Sequence, residues 1–347
     1  MERTTLGRSG IEVSAWCLGT MTFGNQTDEA EAHRQIDMAV EAGIDFLDAA
    51  EMYPVNPVKA ETVGRTEEIV GNWMRASPRS GDVKIATKIS GPNGGFVRGG
   101  KGYDGATIRE TIEAQLRRLN VERIDVYQLH WPERGSFAFR QMWSYDPSAQ
   151  DPATTRAHMD DVLGALSDLT TEGKIGAFGL SNESCWGTTK WIERSEVTGG
   201  PRVAAVQNEY NLLYRHWDTD LAEMSVNEDV PLFSYSPLAA GLLTGKYQNG
   251  AKPEGSRAAI NGDLGGRLTE QALTAVQAYA DLAQEHGLDL VQMSLAWQRQ
   301  RPFPVIPILG ATTAAQLQQQ LAGADLVLSE AVLTGIDAIN KAHPFPY

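Results

Sequence analysis

Two periodicities alternate along the chain. Short apolar runs of strand type cover residues 15–19, 45–48, 83–88, 124–130, 176–181, 204–207, 231–235 and 305–309, which makes eight candidate strands. Helical patterns separate most of them. Asp28 stands where a cap belongs, Ala32, Ile36, Ala39 and Val40 follow on one helical face, and Gly43 occupies the position of a left-handed C-terminal residue. Val162, Leu163, Leu166 and Leu169 repeat that face ahead of Gly173. Strand and helix in alternation predict parallel strands joined by right-handed crossovers, and eight such units close into an α/β fold of the (β/α)8 or TIM-barrel type. An open doubly wound sheet is the competing arrangement.

Segments outside this rhythm read as decorations of a barrel. Leu6 to Ile11 predicts a short N-terminal β-hairpin ahead of the first barrel strand. Residues 91–105 are dense in glycine, 248–266 in glycine and proline, and 132–152 carry Phe137, Phe139, Trp143 and Tyr145 without helical or strand spacing. Long loops of this kind usually shape a site, and the aromatic one, with Trp131, suggests either an apolar pocket wall or packing onto the rim. No linker or break in composition divides the chain. The expectation is one domain, residues 1–347, whose excess over a bare barrel is the hairpin and long loops at the C-terminal face.

Composition removes several function classes. The chain carries 44 acidic and 30 basic side chains, a net charge of −14, and no Lys/Arg run offsets that excess, so no nucleic-acid partner is expected. Cys17 and Cys185 form no CxxC pair and the six histidines include no HExxH, which argues against a disulfide scaffold, a structural zinc or a catalytic metal. No signal-type apolar region opens the chain and no apolar run approaches a length of about 18 residues, so a cytoplasmic protein without a membrane partner is expected. The pattern is silent on a homo-oligomer.

Barrel enzymes carry their chemistry at the C-terminal ends of the strands. Here the second run ends at Asp48 with Tyr53 just beyond, the third at Lys88 and the fourth at His130. Each has a plain reading alone: a turn aspartate, a solvated lysine, a packed tyrosine, a satisfied core histidine. Together at three successive strand ends they point to proton transfer. A tyrosine with a pKa of about 10 exchanges its proton poorly at neutral pH, and an adjacent ammonium favours phenolate, so Lys88 is expected to lower it. Asp48 would pair with Lys88 and offset the cost of burying it. His130 would donate a hydrogen bond to a substrate oxygen.

Phosphate motifs are weaker. Gly241 to Tyr247 is one residue short of a P-loop between its glycines and has Tyr247 where Ser or Thr is required, and no GxGxxG precedes a helix. A barrel can bind phosphate instead at the loops after its seventh and eighth strands, on the N-terminus of a short helix. Those loops are residues 235–241 and 310–316.

Taken together, Gly19-Thr20-Met21-Thr22-Phe23-Gly24, Phe46-Leu47-Asp48-Ala49-Ala50-Glu51-Met52-Tyr53, Ala86-Thr87-Lys88 and Asp125-Val126-Tyr127-Gln128-Leu129-His130-Trp131-Pro132 form a recurring set. With Gly179-Leu180-Ser181-Asn182, Val206-Gln207-Asn208-Glu209-Tyr210, Tyr235-Ser236-Pro237-Leu238 and Gly245-Lys246-Tyr247, the chain resembles the aldo-keto reductases over essentially its whole length. It is most similar to their bacterial Tas-like group, related to potassium-channel β subunits. The resemblance implies a (β/α)8 barrel that binds NADP(H) and passes hydride between the nicotinamide and the carbonyl or alcohol carbon of a small-molecule substrate. On that pattern Tyr53 is the general acid, Lys88 and Asp48 tune it, and His130 orients the carbonyl. Gly19, Thr20 and Met21 belong to the loop after the first strand, Ser181, Asn182 and Gln207 would hold the nicotinamide carboxamide, and Tyr235 would stack on its ring. Ser236, Pro237, Leu238 and Gly241 fall where the pyrophosphate lies. Lys246 and Arg257 would meet the pyrophosphate or the 2′-phosphate, and Gly310, Thr312 and Gln316 the adenosine end. Where related sequences often carry a Glu-Asn pair near the adenine, this chain has Gln319-Gln320, which brings in Gln320. The resemblance also implies a second role, an NADP(H)-binding regulatory or partner protein with slow turnover, against which His130 argues.

Overall fold

The computed structural model describes residues 1–347. Strands β1 (Arg3–Thr5) and β2 (Glu12–Ser14) form an antiparallel hairpin whose turn holds Leu6 to Ile11. The next eight strands are β3 (Cys17–Gly19), β4 (Phe46–Asp48), β5 (Lys84–Ile89), β6 (Ile124–Leu129), β7 (Ile175–Ser181), β8 (Val203–Glu209), β9 (Leu232–Tyr235) and β10 (Val305–Leu309). They pair in parallel in sequence order, and β10 returns to β3 to close a barrel, which excludes the open sheet. Each lies within two residues of the run read from the sequence.

Helices fill the crossovers. Those from α1 (Glu29–Glu41) through α2 (Arg65–Ala76), α3 (Gly105–Leu119), α4 (Pro152–Thr171), α5 (Cys185–Thr198) and α6 (Asp220–Glu228) take one crossover each. The last crossover holds α7 (Arg257–Asn261), α8 (Glu270–Glu285) and α9 (Leu290–Arg299), and α10 (Ala314–Leu321) and α11 (Glu330–Ala342) follow β10. Asp28 caps α1 by accepting the Glu31 N–H, Ala32, Ile36, Ala39 and Val40 are its buried face, and Gly43 has φ +89°. No helix is long and apolar enough to cross a membrane.

The barrel interior is layered. Leu6 and Val13 of the hairpin join Cys17, Phe46, Ala86, Val126 and Phe233 in one buried apolar cluster, so the hairpin plugs one end of the barrel. Burying each large side chain there contributes about 1.5–3 kcal/mol. Successive strand residues face opposite ways, so the residue two places on points inward again. From Phe46, Ala86, Val126, Ala205 and Phe233 that step leads to Asp48, Lys88, Gln128, Gln207 and Tyr235. Apolar packing therefore gives way to a polar layer at the C-terminal end, with Lys88 in register with Gln128 and Ser181 with Gln207. Gly179 stands opposite Gln128, where a Cβ would come within 3.4 Å of the Gln128 side chain and 3.1 Å of the Ala205 carbonyl.

Candidate active site

At the centre of the polar layer is a fully buried ammonium. Lys88 Nζ donates to Asp48 Oδ2 at 2.6 Å and to the Ala49 carbonyl at 2.8 Å. The other carboxylate oxygen of Asp48 accepts from Gln128 Nε2 and Gln207 Nε2, each at 2.9 Å. Burial opposes a charge on Lys88, but Asp48 and Tyr53 outweigh it and leave the pKa raised, so the amine stays charged. Its Nζ lies 4.9 Å from the centre of the Tyr53 ring. His130 completes the group, its ring 5.7 Å from that of Tyr53 at 78°.

Two titrations follow from burial. Desolvation pushes the Tyr53 phenol up, Lys88 pulls it back, and the net result is raised. The expected lowering is therefore overturned: the ammonium limits the rise without reversing it, because the phenol is nearly water-free. His130 is held well below 6.5 by burial and then by the Lys88 charge, so it is a neutral imidazole at pH 7. Its buried Nδ1 has no hydrogen-bond partner.

Beside this group, β7 and β8 present Ser181, Asn182 and Gln207. Asn182, with φ +54°, donates to the His130 carbonyl at 2.8 Å and accepts from the Tyr235 hydroxyl at 2.7 Å. That leaves one free donor and one free acceptor side by side in the polar layer: the Ser181 hydroxyl proton and Gln207 Oε1. A primary carboxamide needs that complement. Gly19 ends β3, with Thr20 and Met21 just beyond, on the same face of the barrel as Asp48. A Cβ on Gly19 would stand 2.7 Å from Ile308, Thr20 spends its hydroxyl on the Asp48 carbonyl at 2.8 Å, and the Met21 carbonyl accepts the Val55 N–H.

The loop after β9 has an unusual backbone. Ser236, Ala239, Ala240 and Gly241 have φ of +50°, +49°, +57° and +95°, a left-handed series of the sort that forms anion-binding concavities. Pro237 gives its carbonyl to Gln298, and the Leu238 N–H has no protein acceptor. Lys246 Nζ lies over Gly241, where a Cβ would be 3.1 Å away, and burial lowers its pKa. Arg257 makes no ion pair, its Nε is buried without a partner, and burial with the nearby Arg267 pulls its pKa down to about 10. Two partly buried cations without carboxylate partners fit phosphate oxygens.

The loop after β10 differs from expectation. Thr312 and Gln316 bond each other, with the Thr312 N–H on Gln316 Oε1 at 2.9 Å, and Gln320 Nε2 donates to the Gly310 carbonyl at 2.9 Å. At the N-terminus of α10, Glu31 of α1 accepts the Ala314 N–H and Thr313 Oγ1 accepts the Gln316 N–H.

Sequence reading missed a second buried ion pair. Glu209, at the end of β8, takes both Nε and Nη2 of Arg267 at 2.7 Å, the Tyr347 hydroxyl at 3.2 Å, and Arg140 of the aromatic loop at 3.8 Å. Residues from four distant segments meet there. A small cavity beside it is lined by Phe137, Phe139, Asn182, His216 and Tyr235, whereas Trp143 is 73% exposed and takes no part.

The fold and its mouth are those of a (β/α)8-barrel protein with a polar, charged set of strand ends. The chain belongs to the aldo/keto reductase family, whose model matches residues 15–341. It is similar to the protein tas of Escherichia coli (strain K12), 42% identical over 350 residues that cover 100% of this chain and 99% of that protein. The uncharacterized oxidoreductase YrpG of Bacillus subtilis (strain 168) is 31% identical, covering 100% and 97%. A probable voltage-gated potassium channel subunit beta of Arabidopsis thaliana is also 31% identical, covering 99% and 98%. Family membership makes oxidoreduction the class of activity.

Proposed function

We propose that this protein, acting as a single barrel domain, reduces aldehyde or ketone carbonyls of small molecules to alcohols with NADPH, and that Tyr53 donates the proton. The observation that carries this reading is the charged, buried Lys88 beside the Tyr53 phenol. A phenol with a raised pKa is protonated at neutral pH, as a donor must be. When the proton leaves, the ammonium offsets the negative charge on the phenolate, and Asp48, held by Gln128 and Gln207, keeps the ammonium in position. The neutral His130 imidazole has a ring N–H to direct at the carbonyl oxygen, which orients it toward Tyr53.

Bound NADPH would supply the hydride to the carbonyl carbon. Ser181 and Gln207 would hold its carboxamide, with Asn182 positioning the Ser181 hydroxyl through a hydrogen bond of 3.1 Å, and Tyr235 would cover the ring. The Leu238 N–H, Lys246 and Arg257 would take the phosphates, and Gln320 the adenine end. The free donor and acceptor, the left-handed loop and the two unpaired cations support that assignment. Phe137 and Phe139 favour substrates with an apolar body. Two unpaired cysteines suit a reducing compartment, the cytoplasm.

Fluorescence titration with NADPH and NADH, followed by a carbonyl panel, tests the reading. NADPH is expected to bind and to be oxidised over many turnovers by at least one aldehyde. No nicotinamide binding would overturn it. The full-length match to a potassium-channel β subunit supports a second reading, a nicotinamide-binding partner protein, which tight retention of NADPH with very slow turnover would favour.

A further inference from the structure

The barrel mouth carries a positive charge that the proton-transfer group does not use. Glu209 lines the cavity beneath the aromatic loop together with Phe139, Asn182 and Tyr235. Both of its oxygens accept from Arg267 at 2.7 Å, and Oε1 also accepts from the Tyr347 hydroxyl at 3.2 Å. Arg140 approaches the same carboxylate from the loop, but its Nη1 stops 3.8 Å from Oε2, too long for a hydrogen bond. One carboxylate thus faces two arginines and gives its close contacts to one of them. Arg257 adds a third positive charge within electrostatic reach of both. Burial and then Arg267 pull the pKa of Arg140 down, and Glu209 does not restore it, as expected of a guanidinium short of negative charge.

Backbone geometry fixes Arg140 in this position. Phe139 and Arg140 are both left-handed, with φ of +57° and +64°, a strained conformation for residues with a Cβ. Gly265 packs against the guanidinium, where a Cβ would be 3.2 Å from Arg140 Nη2. Phe139 connects this charge to the chemistry: its ring is 5.9 Å from that of Trp131, which is 4.6 Å from that of His130. A molecule whose carbonyl lies at Tyr53 and His130 would run past an apolar wall and end at Arg140.

We propose that Arg140 determines substrate specificity by binding a carboxylate, so that the preferred substrates are aldehydes or ketones with an acid group set apart from the carbonyl by an apolar spacer. This rests on the carbonyl-reductase reading above and deepens it. A guanidinium meets a carboxylate through paired hydrogen bonds, a match that an ester of similar size does not offer. An α-oxo acid, with its two groups adjacent, is too short to reach both ends.

The test is steady-state reduction, at saturating NADPH, of a graded series of ω-formyl carboxylic acids and a formylbenzoate, each beside its methyl ester. On wild type the best acid is expected to exceed its ester by about tenfold or more in kcat/KM, mainly through KM. Arg140→Gln should bring that ratio to within about twofold of unity by raising KM for the acid, and Arg140→Lys, which keeps the charge and loses the paired geometry, should leave an intermediate ratio. NADPH affinity, from fluorescence titration, should move by less than about twofold in both variants. Esters reduced as well as acids by wild type, or an unchanged ratio in Arg140→Gln, overturns the proposal and leaves carbonyl reduction standing. A loss of NADPH affinity equal to the loss on the acid also overturns it and assigns Arg140 to the cofactor. Wild type that reduces no carbonyl with NADPH overturns the reading of the function, and this proposal with it.

Discussion

A buried ammonium is costly, and the chain offsets that cost with Asp48 and the Ala49 carbonyl while Gln128 and Gln207 satisfy the second carboxylate oxygen. Asp48→Asn leaves Lys88 buried without a counter-charge. It should cost about 3–5 kcal/mol of stability by denaturant titration. His130 makes a separate prediction. Its folded pKa lies well below 6.5, so its contribution to stability is complete above 6.5 and is lost as pH falls below that value. Wild type should therefore lose stability in acid more steeply than His130→Gln, and equal slopes would contradict a buried neutral ring. Asp48, Lys88 and His130 were legible as candidates because charged types at apolar strand ends stand out. Gln128 was not, since it is uncharged and inside a strand, although its position two places beyond Val126 on the same face marks it. The direction of the Tyr53 shift depended on burial, which residue order does not report.

Elements carry the loops, and the loops carry most of the rim chemistry. The aromatic segment 132–152 is held by a short, buried ion pair between Arg134 and Glu183, by Ser136 Oγ on the Asn182 carbonyl at 2.7 Å, and by Gln150 on the Arg134 carbonyl at 3.0 Å. The loop is thus tied to the Asn182 turn that faces the centre of the mouth. Arg134→Ala strands Glu183 without its cation and should cost about 3 kcal/mol or more. Limited proteolysis should then cut within 132–152, near exposed Trp143, faster than in wild type. Strands and helices were readable because their apolar spacing is local. These contacts were not: Arg134 and Glu183 are 49 residues apart, and Glu31 and Ala314 are 283 apart, with no period linking them.

Across the whole molecule, a net charge of −14 repels a polyanionic cofactor, yet Lys246, over the loop after β9, and Arg257, at the start of α7, each lack a carboxylate partner. Screening acts over about 8 Å at physiological salt, so such a cleft can differ from the average surface. Arg257→Ala should weaken NADPH by about tenfold or more and NADH much less, measured by fluorescence titration. Equal losses would move the 2′-phosphate contact elsewhere. Closure of the barrel itself depends on β10 meeting β3, a pairing between the two ends of the chain. Eight strand–helix units pointed to it, but the closing contact is not written in any local pattern. The central claim is that this barrel mouth delivers a proton from Tyr53, and Tyr53→Phe removes that hydroxyl alone. With NADPH and the best carbonyl of the panel, kcat should fall by about 10²- to 10⁴-fold while NADPH affinity stays unchanged. Turnover at the wild-type rate by a variant that binds NADPH normally would contradict it.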